Sequence, residues 1–506
     1  MRKGNRLLGG ALMLTGVNLL LRFAGTAFQV WLSGRIGAAG VGLLQLILSV
    51  NLLALTLGTA GGRTTAMYLA AEALGQKRPS DADRLLSGCF LYSILCSGAV
   101  SIGLFVLAPG LARNWIGTID ALPALRTWAS FLPVITLSGV MTGYFTAANR
   151  IGTLAAVEVA EQLFVIAVTA SLLLTLPHGD RSAACRAVVL GSCLGAVLTL
   201  SCLMFLYTRC AGGYDSAIPV AGRVLRCAVP LAVADDLKAG ISVVENLMVP
   251  RRLGLFSGTE DPLAAFGRIS GMVFPVLMFP AALLSSLAEV LIPELARCAA
   301  VKSNRRIRYL VRRNLRITLL YGLLCGGIMF LLSGELCRLL YPTQPIAALM
   351  RRFSLLVPML YCDLIADAMT KGLGQQAACA RYSVFSNICD IALMYVLLPR
   401  FGIDGYFISF TLTHAMNFCL SLHKVLQIGG VQINACFVWL APISALFAVF
   451  GASCFTGPVR KTAAFLGLFF GLCCYTGVIG KGDLRWIQNL IFNAPIQAKA
   501  ADATNS

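Results

Sequence analysis

The chain of 506 residues contains long apolar stretches that recur from one end to the other. An α-helix needs about 20 mostly apolar residues to cross the ~30 Å hydrocarbon core of a bilayer, and most of these stretches reach that length. They cover residues 7–32, 42–70, 86–109, 124–147, 152–176, 185–207, 224–249, 269–292, 315–333, 353–371, 382–399, 404–423, 433–453 and 461–480. The sequence therefore predicts an all-α polytopic membrane protein with about fourteen transmembrane helices.

The composition is apolar, and its few charges are unbalanced. Hydrophobic residues make up 58% of the chain and charged residues 12%, against about 25% charged in soluble domains. This excludes a soluble enzyme and a disordered chain. The 41 Lys and Arg outnumber the 22 Asp and Glu, for a net charge of +19. Such an excess of positive charge is typical of proteins that bind nucleic acid, anionic membrane lipids or an anionic substrate. The apolar composition argues against nucleic acid and leaves the other two as expected partners.

The distribution of Lys and Arg predicts the orientation in the cytoplasmic membrane. Most of those outside the spans lie on the side of both termini, so the positive-inside rule places both termini in the cytoplasm. The basic loop 293–316 carries much of this bias, with Arg297, Lys302, Arg305, Arg306, Arg308, Arg312, Arg313 and Arg316. Apolar residues alternate with these arginines, which predicts an amphipathic helix on the anionic inner leaflet. We interpret the segment as a topology anchor rather than a substrate site.

A faint internal repeat predicts two lobes. Aligning Gly143 with Gly372 places Glu158 on Asn387 and Glu161 on Asp390, one helical turn apart in each pair. Spans 1–6 would form one lobe (1–210) and spans 7–12 the other (211–430). Spans 13–14 (431–480) and a cytoplasmic tail (481–506) would follow. Transporters with two repeats hold their substrate at the interface of the repeats.

Two arginines within spans are candidate substrate ligands. Arg22 and Arg63 lie inside the first and second apolar stretches, where an ionisable group costs about 2.5–3.5 kcal/mol and usually serves a purpose. Their planar guanidinium groups suit a phosphate in a central cavity. The alternative is a structural ion pair with Glu158, Glu161 or Asp236.

Carboxylates within spans are candidates for ion coupling. Asp390 and Asn387 offer the oxygen ligands that a small hard cation prefers. Glu158 and Glu161 in the fifth span and Asp236 in the seventh are further candidates. The charges of Asp236, Asp235 and Lys238 could instead neutralise one another. We expect sodium or proton coupling and no other cofactor.

The sequence lacks the common motifs of membrane-bound enzymes. It contains no GxxxxGK[ST] phosphate loop, no CxxC pair among its 18 cysteines and no metal-ligand spacing among its three histidines. Asp81 and Asp83 form a DxD motif, but their place before a span predicts a helix cap. We expect a transporter rather than an enzyme. The alternative from another class is a membrane-embedded glycan polymerase or acyltransferase using His178 and Asp180.

Several segments resemble the stage V sporulation protein B family. Its members are polysaccharide-biosynthesis-type flippases of the multidrug/oligosaccharidyl-lipid/polysaccharide exporter superfamily. The matching segments are 10–25 (GALMLTGVNLLLRFAG), 35–45 (RIGAAGVGLLQ), 245–251 (ENLMVPR), 271–272, 279–280, 291–294 (LIPE), 371–376 (KGLGQQ) and 399–406 (PRFGIDGY). They follow one another in family order across spans 1–12.

The resemblance implies two lobes around a central cavity and alternating access that moves a lipid-linked glycan precursor. Its lipid II-flipping relatives bind an undecaprenyl-pyrophosphate head group in a cationic cavity, with ion or potential coupling. Arg22 matches their first-span arginine, so Arg22, Arg63 and Arg268 are the candidate cavity cations. Cell-wall synthesis enzymes and a role in the spore cortex are also implied. A cation-coupled multidrug exporter of the same superfamily is the alternative.

The chain departs from the family pattern at four positions. Arg63 stands where the family has proline, Tyr68 stands where it has a basic residue, and Val165 stands where an arginine follows the Glu161-Gln162 pair. Arg268 lies about two turns before the place where the lipid II flippase branch has an arginine, ahead of Phe279. The substrate is therefore expected to be related to lipid II without necessarily being identical to it.

Overall fold

A computed structural model describes residues 2–76, 79–177, 180–208, 221–258, 261–431 and 435–478, and within these ranges the chain is helical without β-strands. The first half contains α1 (Arg2–Thr59), α2 (Gly62–Gly75), α3 (Pro79–Gly110), α4 (Leu122–Ala147), α5 (Ile151–Thr175), α6 (Arg181–Thr208), α7 (Ala221–Leu253) and α8 (Pro262–Phe266). The second half contains α9 (Phe274–Met278), α10 (Ala281–Ala300), α11 (Asn304–Leu331), α12 (Ser333–Leu340), α13 (Ala347–Ser354), α14 (Val357–Gly372), α15 (Gln376–Gly429), α16 (Ala435–Ser453) and α17 (Pro458–Tyr475). A π-helical turn, Gly267–Val273, joins α8 to α9.

The chain is a multi-pass membrane protein. Seven helices of its described part are long and apolar enough to cross a membrane, or nine if each of two bent helix pairs counts as one span. The predicted number of fourteen is not confirmed. The number is smaller partly because α1 contains most of the first two predicted spans and α15 contains the eleventh and twelfth. In α7, which is 33 residues long, charged residues interrupt the apolar character.

Single glycines bend the two longest helices. Gly37 in α1 has φ 71° and ψ 173°, and Gly402 in α15 has φ 56° and ψ −129°. Both values of φ are positive, a region that glycine enters without the steric cost of a Cβ. A Cβ at Gly402 would also come within 2.7 Å of the Phe256 ring. Each long helix is therefore two helical segments joined at one residue.

The packing of the chain divides it into two compact units. Unit 1 comprises Met1–Ala282 and Arg381–Thr413, and unit 2 comprises Leu283–Ala380 and His414–Ser506. A core of unit 1 lies among α2, α3, α4 and α6 and contains Ala66, Leu69, Leu86, Met141, Phe145 and Leu203. A core of unit 2 lies among α11, α16 and α17 and contains Leu323, Ala448, Phe465 and Phe469. The predicted lobes stay predictions, because compact units reflect packing and not repetition.

The basic segment 293–316 differs from the predicted loop. Residues up to Ala300 belong to α10, and those from Asn304 onward begin α11, which continues through the ninth predicted span. Ile307 and Val311 are buried, and Arg306 forms an ion pair with Glu294 at 2.6 Å. The predicted surface helix is therefore the first part of a membrane helix, with its apolar residues packed against protein. The sequence also suggests a second surface helix at Leu484–Phe492, and this segment lies outside the described residues.

Two further expectations concern enzyme-like motifs. Asp83 does not cap a helix but accepts hydrogen bonds inside α3, from the Tyr207 hydroxyl at 2.8 Å and the Tyr144 hydroxyl at 3.4 Å. It therefore ties α3 to α4 and α6. Asp180 accepts a hydrogen bond from the Ala183 backbone N–H at 2.9 Å and so caps α6. His178 lies outside the described residues.

Candidate functional site

Arg22 lies in the segment of α1 that precedes Gly37, and its side chain is exposed on the surface of the protein. The next residue, Phe23, meets the Phe279 ring edge-on, with 6.0 Å between the ring centroids. This contact fixes α1 beside the segment that precedes α10. Among the described residues, no ion pair involves Arg22.

Arg63 is positioned by a break between two helices. Ala60 and Gly61 have positive φ values of 44° and 73°, which end α1 and allow α2 to begin at Gly62. A Cβ at Gly143 of α4 would collide with the Arg63 carbonyl oxygen, so the two backbones are in direct contact. The exposed Arg63 side chain therefore starts from a fixed backbone position.

Arg268 lies in the π-helical turn Gly267–Val273. Turns of this kind occur often at functional sites. A Cβ at Gly267 would collide with the Ala38 carbonyl oxygen and would lie 2.6 Å from the Gly42 nitrogen, so this turn rests directly on α1. The Arg268 side chain is half-buried, and its Nε is buried without a hydrogen-bond acceptor among the described residues. A buried donor without a partner is costly, which makes this atom a candidate ligand contact.

The carboxylates of α5 lie beside Arg63. Glu158 is half-buried and attracts the Arg63 guanidinium electrostatically, while Glu161 adds a like charge. Glu161 accepts a hydrogen bond from the Thr199 hydroxyl of α6 at 2.7 Å. The structure thus brings Arg63 to the carboxylates that the sequence offered as structural partners. That contact does not exclude a ligand, because the Arg63 side chain is exposed.

Asp390 is the centre of a second, buried polar cluster. Its side chain is 4% exposed. Its Oδ1 accepts hydrogen bonds from the Ser409 hydroxyl at 2.7 Å and the Thr413 hydroxyl at 3.0 Å, both from the second segment of α15. Glu245 of α7 lies within hydrogen-bonding reach of Asp390. Two carboxylates and two hydroxyls therefore converge inside unit 1.

Tyr406 connects this cluster to the turn that holds Arg268. The tyrosine is 7% exposed, lies in the electrostatic field of Glu245 and Asp390, and is hydrogen-bonded to Ser270. Ser270 is two residues after Arg268 in the same π-helical turn. One side chain thus links the carboxylate pair to the backbone that positions a candidate cavity cation.

The other residues that the sequence predicts for ion coupling lie outside the buried polar cluster around Asp390. Asn387 is half-buried on α15, one turn before Asp390. Asp236 is on α7 with Glu245, nine residues earlier and therefore about 14 Å along the helix axis. It lies near Thr56 of α1, and its Oδ1 is buried without a hydrogen-bond partner among the described residues. The structure therefore pairs Asp390 with Glu245, and the coupling roles of Asn387, Asp236, Glu158 and Glu161 stay predictions.

The two carboxylates aligned by the internal repeat have similar surroundings. Glu161 on α5 and Asp390 on α15 each accept a hydroxyl hydrogen bond from the helical segment that follows in the chain. The donors, Thr199 and Thr413, are not at equivalent positions of the sequence alignment. The chemical correspondence is thus closer than the sequence correspondence.

Sequence reasoning did not assign the Glu245 role or the hydroxyl partners. Glu245 had a signal, since it is a charged residue in a span and opens the ENLMVPR segment. Ser270, Ser409 and Thr413 had none, because serine and threonine are common in transmembrane helices and bond to their own backbone. Among the described residues, no group of three or more His, Cys, Asp and Glu side chains is arranged to hold a metal ion.

Comparisons with known proteins agree on one family. The profile of the family described as "Polysaccharide biosynthesis protein" matches residues 7–298. Stage V sporulation protein B of Bacillus subtilis (strain 168) is 24% identical over 527 aligned positions, which cover 95% of this chain and 97% of the relative. Both comparisons extend over the arginines and carboxylates of unit 1 that lie before residue 298.

Solved structures share the fold. Lipid II flippase MurJ in an inward closed conformation superposes with a TM-score of 0.69 at 13% identity, covering 91% of this chain and 98% of that one. An inward-facing multidrug resistance MATE family transporter of the MOP superfamily gives a TM-score of 0.65, also at 13% identity, covering 83% of this chain and 98% of that one. At these identities the likeness concerns the fold alone.

Proposed function

Because the chain belongs to the polysaccharide biosynthesis protein family, we propose that it is a flippase for a lipid-linked saccharide. The substrate would be a glycan or peptidoglycan precursor on an isoprenoid pyrophosphate, moved across the cytoplasmic membrane by alternating access. The name of the MurJ neighbour, a lipid II flippase, supports this substrate class. The name of the sporulation relative supports a role in spore cortex or cell-wall synthesis.

The observation that carries the proposal is the unpartnered donor of Arg268. Its buried Nε lacks an acceptor among the described residues, and Arg22 and Arg63 provide two further guanidinium groups on membrane helices of the same unit. A diphosphate offers acceptors in the geometry that guanidinium groups bind best. We assign these three side chains to the head group, with Arg63 shared between substrate and Glu158.

Glu245 and Asp390 are assigned to energy coupling. Two carboxylates this close in a low-dielectric site repel each other unless they share a proton or a cation. Entry of a proton or sodium ion would remove that repulsion, and the hydrogen bond between Tyr406 and Ser270 would transmit the change to the turn of Arg268. Uptake of the ion and release of the head group would then be linked.

Translocation by arginine variants tests the substrate assignment. Arg268→Ala removes charge-assisted hydrogen bonds worth about 1.5–3 kcal/mol each, so we expect affinity for the precursor to fall at least tenfold. Arg22→Ala is expected to abolish translocation while the protein still inserts. The measurement is the outward movement of native lipid-linked precursors in a strain that lacks the wild-type chain.

Arg400→Ala, an exposed arginine outside the proposed site, is the control and is expected to translocate normally. Normal translocation by both Arg22→Ala and Arg268→Ala would contradict the assignment.

A multidrug exporter is the second candidate function. The buried Glu245–Asp390 pair favours it, because carboxylates bind cationic drugs, and the fold of the MATE neighbour agrees. In that case Glu245→Gln would abolish drug export, and Arg22→Ala would leave it intact. A rise in drug resistance on expression, without any effect on precursor translocation, would favour this function.

The proposed function implies a location and partners for the protein. We place the protein in the cytoplasmic membrane with both termini in the cytoplasm, since Lys and Arg outside the spans favour that side. Anionic lipids would contact the basic start of α11, and cell-wall synthesis enzymes would use the exported precursor. A transporter needs no catalytic group of its own, and Asp180, one of two catalytic candidates, caps α6.

A further inference from the structure

A cavity away from the proposed substrate site lies between α4 and α6. It has a volume of about 350 Å³ and is lined by Leu122, Pro123, Arg126, Thr127, Ser130 and Arg186. All six residues are described, and none of them is acidic. Two positive charges therefore face one cavity without a carboxylate in its lining.

The cavity lies near the starts of α4 and α6. Arg126 is four residues from the start of α4, and Arg186 is five residues from the start of α6. At 1.5 Å per residue these positions are about 6–8 Å from the helix ends. The polar layer on each side of a ~30 Å hydrocarbon core is about 5–8 Å thick. A start of both helices at the outer edge of this layer would place the two guanidinium groups near the boundary between head groups and acyl chains.

The lining has a polar and an apolar part. Arg126 is held with its guanidinium carbon 5.1 Å from the centroid of the Phe105 ring, which orients it. The hydroxyls of Thr127 and Ser130 donate to backbone carbonyls in α4, at 2.8 and 3.0 Å, and face the same cavity. Leu122 and Pro123 supply apolar surface beside the charges. A ligand that has both an anionic phosphate and a hydrocarbon chain matches this combination.

We propose that the α4–α6 cavity binds the phosphate of an anionic phospholipid from the surrounding leaflet. Arg126 and Arg186 hold the phosphate oxygens, and Leu122 and Pro123 contact the start of the acyl chains. A single arginine at this depth would only extend toward the interface. Two arginines on neighbouring helices, converging on one cavity, form a site with a definite occupant. In the predicted orientation this is the outer leaflet.

Retention of lipid by the purified full-length chain tests the proposal. The probes are phosphatidylglycerol, phosphatidylcholine and inorganic phosphate, and bound lipid is counted by native mass spectrometry. We expect the wild type to retain phosphatidylglycerol at least tenfold better than phosphatidylcholine. The double variant Arg126→Gln/Arg186→Gln is expected to lose that preference. The matched control, Arg113→Gln/Arg400→Gln, removes two exposed arginines that do not line the cavity and is expected to keep it.

Two further variants guard against misfolding. Arg186→Gln alone leaves the Arg126–Phe105 contact in place and is expected to reduce phosphatidylglycerol retention at least threefold. Arg126→Lys keeps the charge and is expected to retain more lipid than Arg126→Gln. Undiminished retention by the double variant would overturn the proposal. Displacement of phosphatidylglycerol by an equal concentration of inorganic phosphate would also overturn it, because the acyl chains would then contribute nothing.

Discussion

The Asp390 carboxylate is buried, and its Oδ1 accepts hydrogen bonds from two hydroxyl groups. Ser409 and Thr413 donate to that oxygen, and Glu245 reaches the same side chain. A buried carboxylate with hydroxyl partners is stable, whereas a second carboxylate beside it is stable only with a proton or cation. In the proposed coupling role, the pair would therefore have two states that differ in occupancy by a proton or cation. A coupling site requires that property.

Tyr406 is the residue at which coupling can be separated from binding. Tyr406→Phe removes the hydroxyl that bonds to Ser270 and keeps the ring, which stacks on Phe410 with 6.0 Å between centroids. Coupling free energies between sites are typically 1–3 kcal/mol. We expect the stimulation of precursor translocation by an imposed sodium or proton gradient to fall at least fivefold, as measured in vesicles with and without the gradient.

Tyr395→Phe provides the control for this prediction. It removes a hydroxyl from the same long helix and keeps the ring that Arg252 covers, so its gradient response should equal that of the wild type. If Tyr406→Phe kept the full response to both gradients, Tyr406 would not transmit the ion state to the turn of Arg268.

The sequence identified charged residues of the site better than their partners. Glu158, Glu161 and Asp390 were recognised because a carboxylate in an apolar span is rare and therefore informative. The pairing of Asp390 with Glu245 was not recognisable, because it joins α7 to α15 across 145 positions of the chain. Helical periodicity predicts which residues share a face and gives no information on which helices meet.

At the scale of elements, the contact between α1 and the π-helical turn depends on glycine. Gly42 and Gly267 face each other closely, and a Cβ on Gly267 would lie 2.6 Å from the Gly42 nitrogen. A Cβ on Gly42 would collide with the Leu263 carbonyl oxygen. We expect Gly267→Ala to lower the free energy of unfolding in detergent by about 1–3 kcal/mol, the usual cost of overpacking. It should also displace Arg268 and weaken precursor binding.

Gly103→Ala in α3 is the matched control, because a Cβ there meets no atom within 4 Å. Alanine is the better helix former, so this variant should be as stable as the wild type or more stable by about 0.5–1 kcal/mol. Equal unfolding free energies for Gly267→Ala and the wild type would contradict the close contact.

Element boundaries were predictable only where a long connection separates two spans. The predicted segments 382–399 and 404–423 lie in one helix, α15, whose bend is confined to Gly402. A hydropathy pattern has a resolution of several residues, so a bend at one glycine and a chain end look alike in it. The basic start of α11 was assigned to a loop for the same reason, since charge marks the edge of the membrane and not the end of a helix.

At the scale of the whole molecule, orientation depends on a small number of charges. The numbers of Lys and Arg on the two faces differ mainly because of the segment 293–316. The structure places five of its arginines within the first ten residues of α11. They are Arg305, Arg306, Arg308, Arg312 and Arg313. Because positive charge close to a span resists translocation, this helix should hold its own end, and the spans packed with it, in the cytoplasm.

Replacing these five arginines by glutamine tests that dependence. We expect a larger fraction of molecules to carry the C-terminus outside, measured with C-terminal fusions to a fluorescent protein that folds in the cytoplasm and to a phosphatase active only outside. The control replaces Arg113, Arg126, Arg181, Arg186 and Arg400, which lie on the predicted outer face, and should leave the C-terminus in the cytoplasm. If both variants kept a cytoplasmic C-terminus, the apolar spans and their packing, and not the basic start of α11, would set the orientation. The positive charge of this segment would then serve the anionic inner leaflet alone.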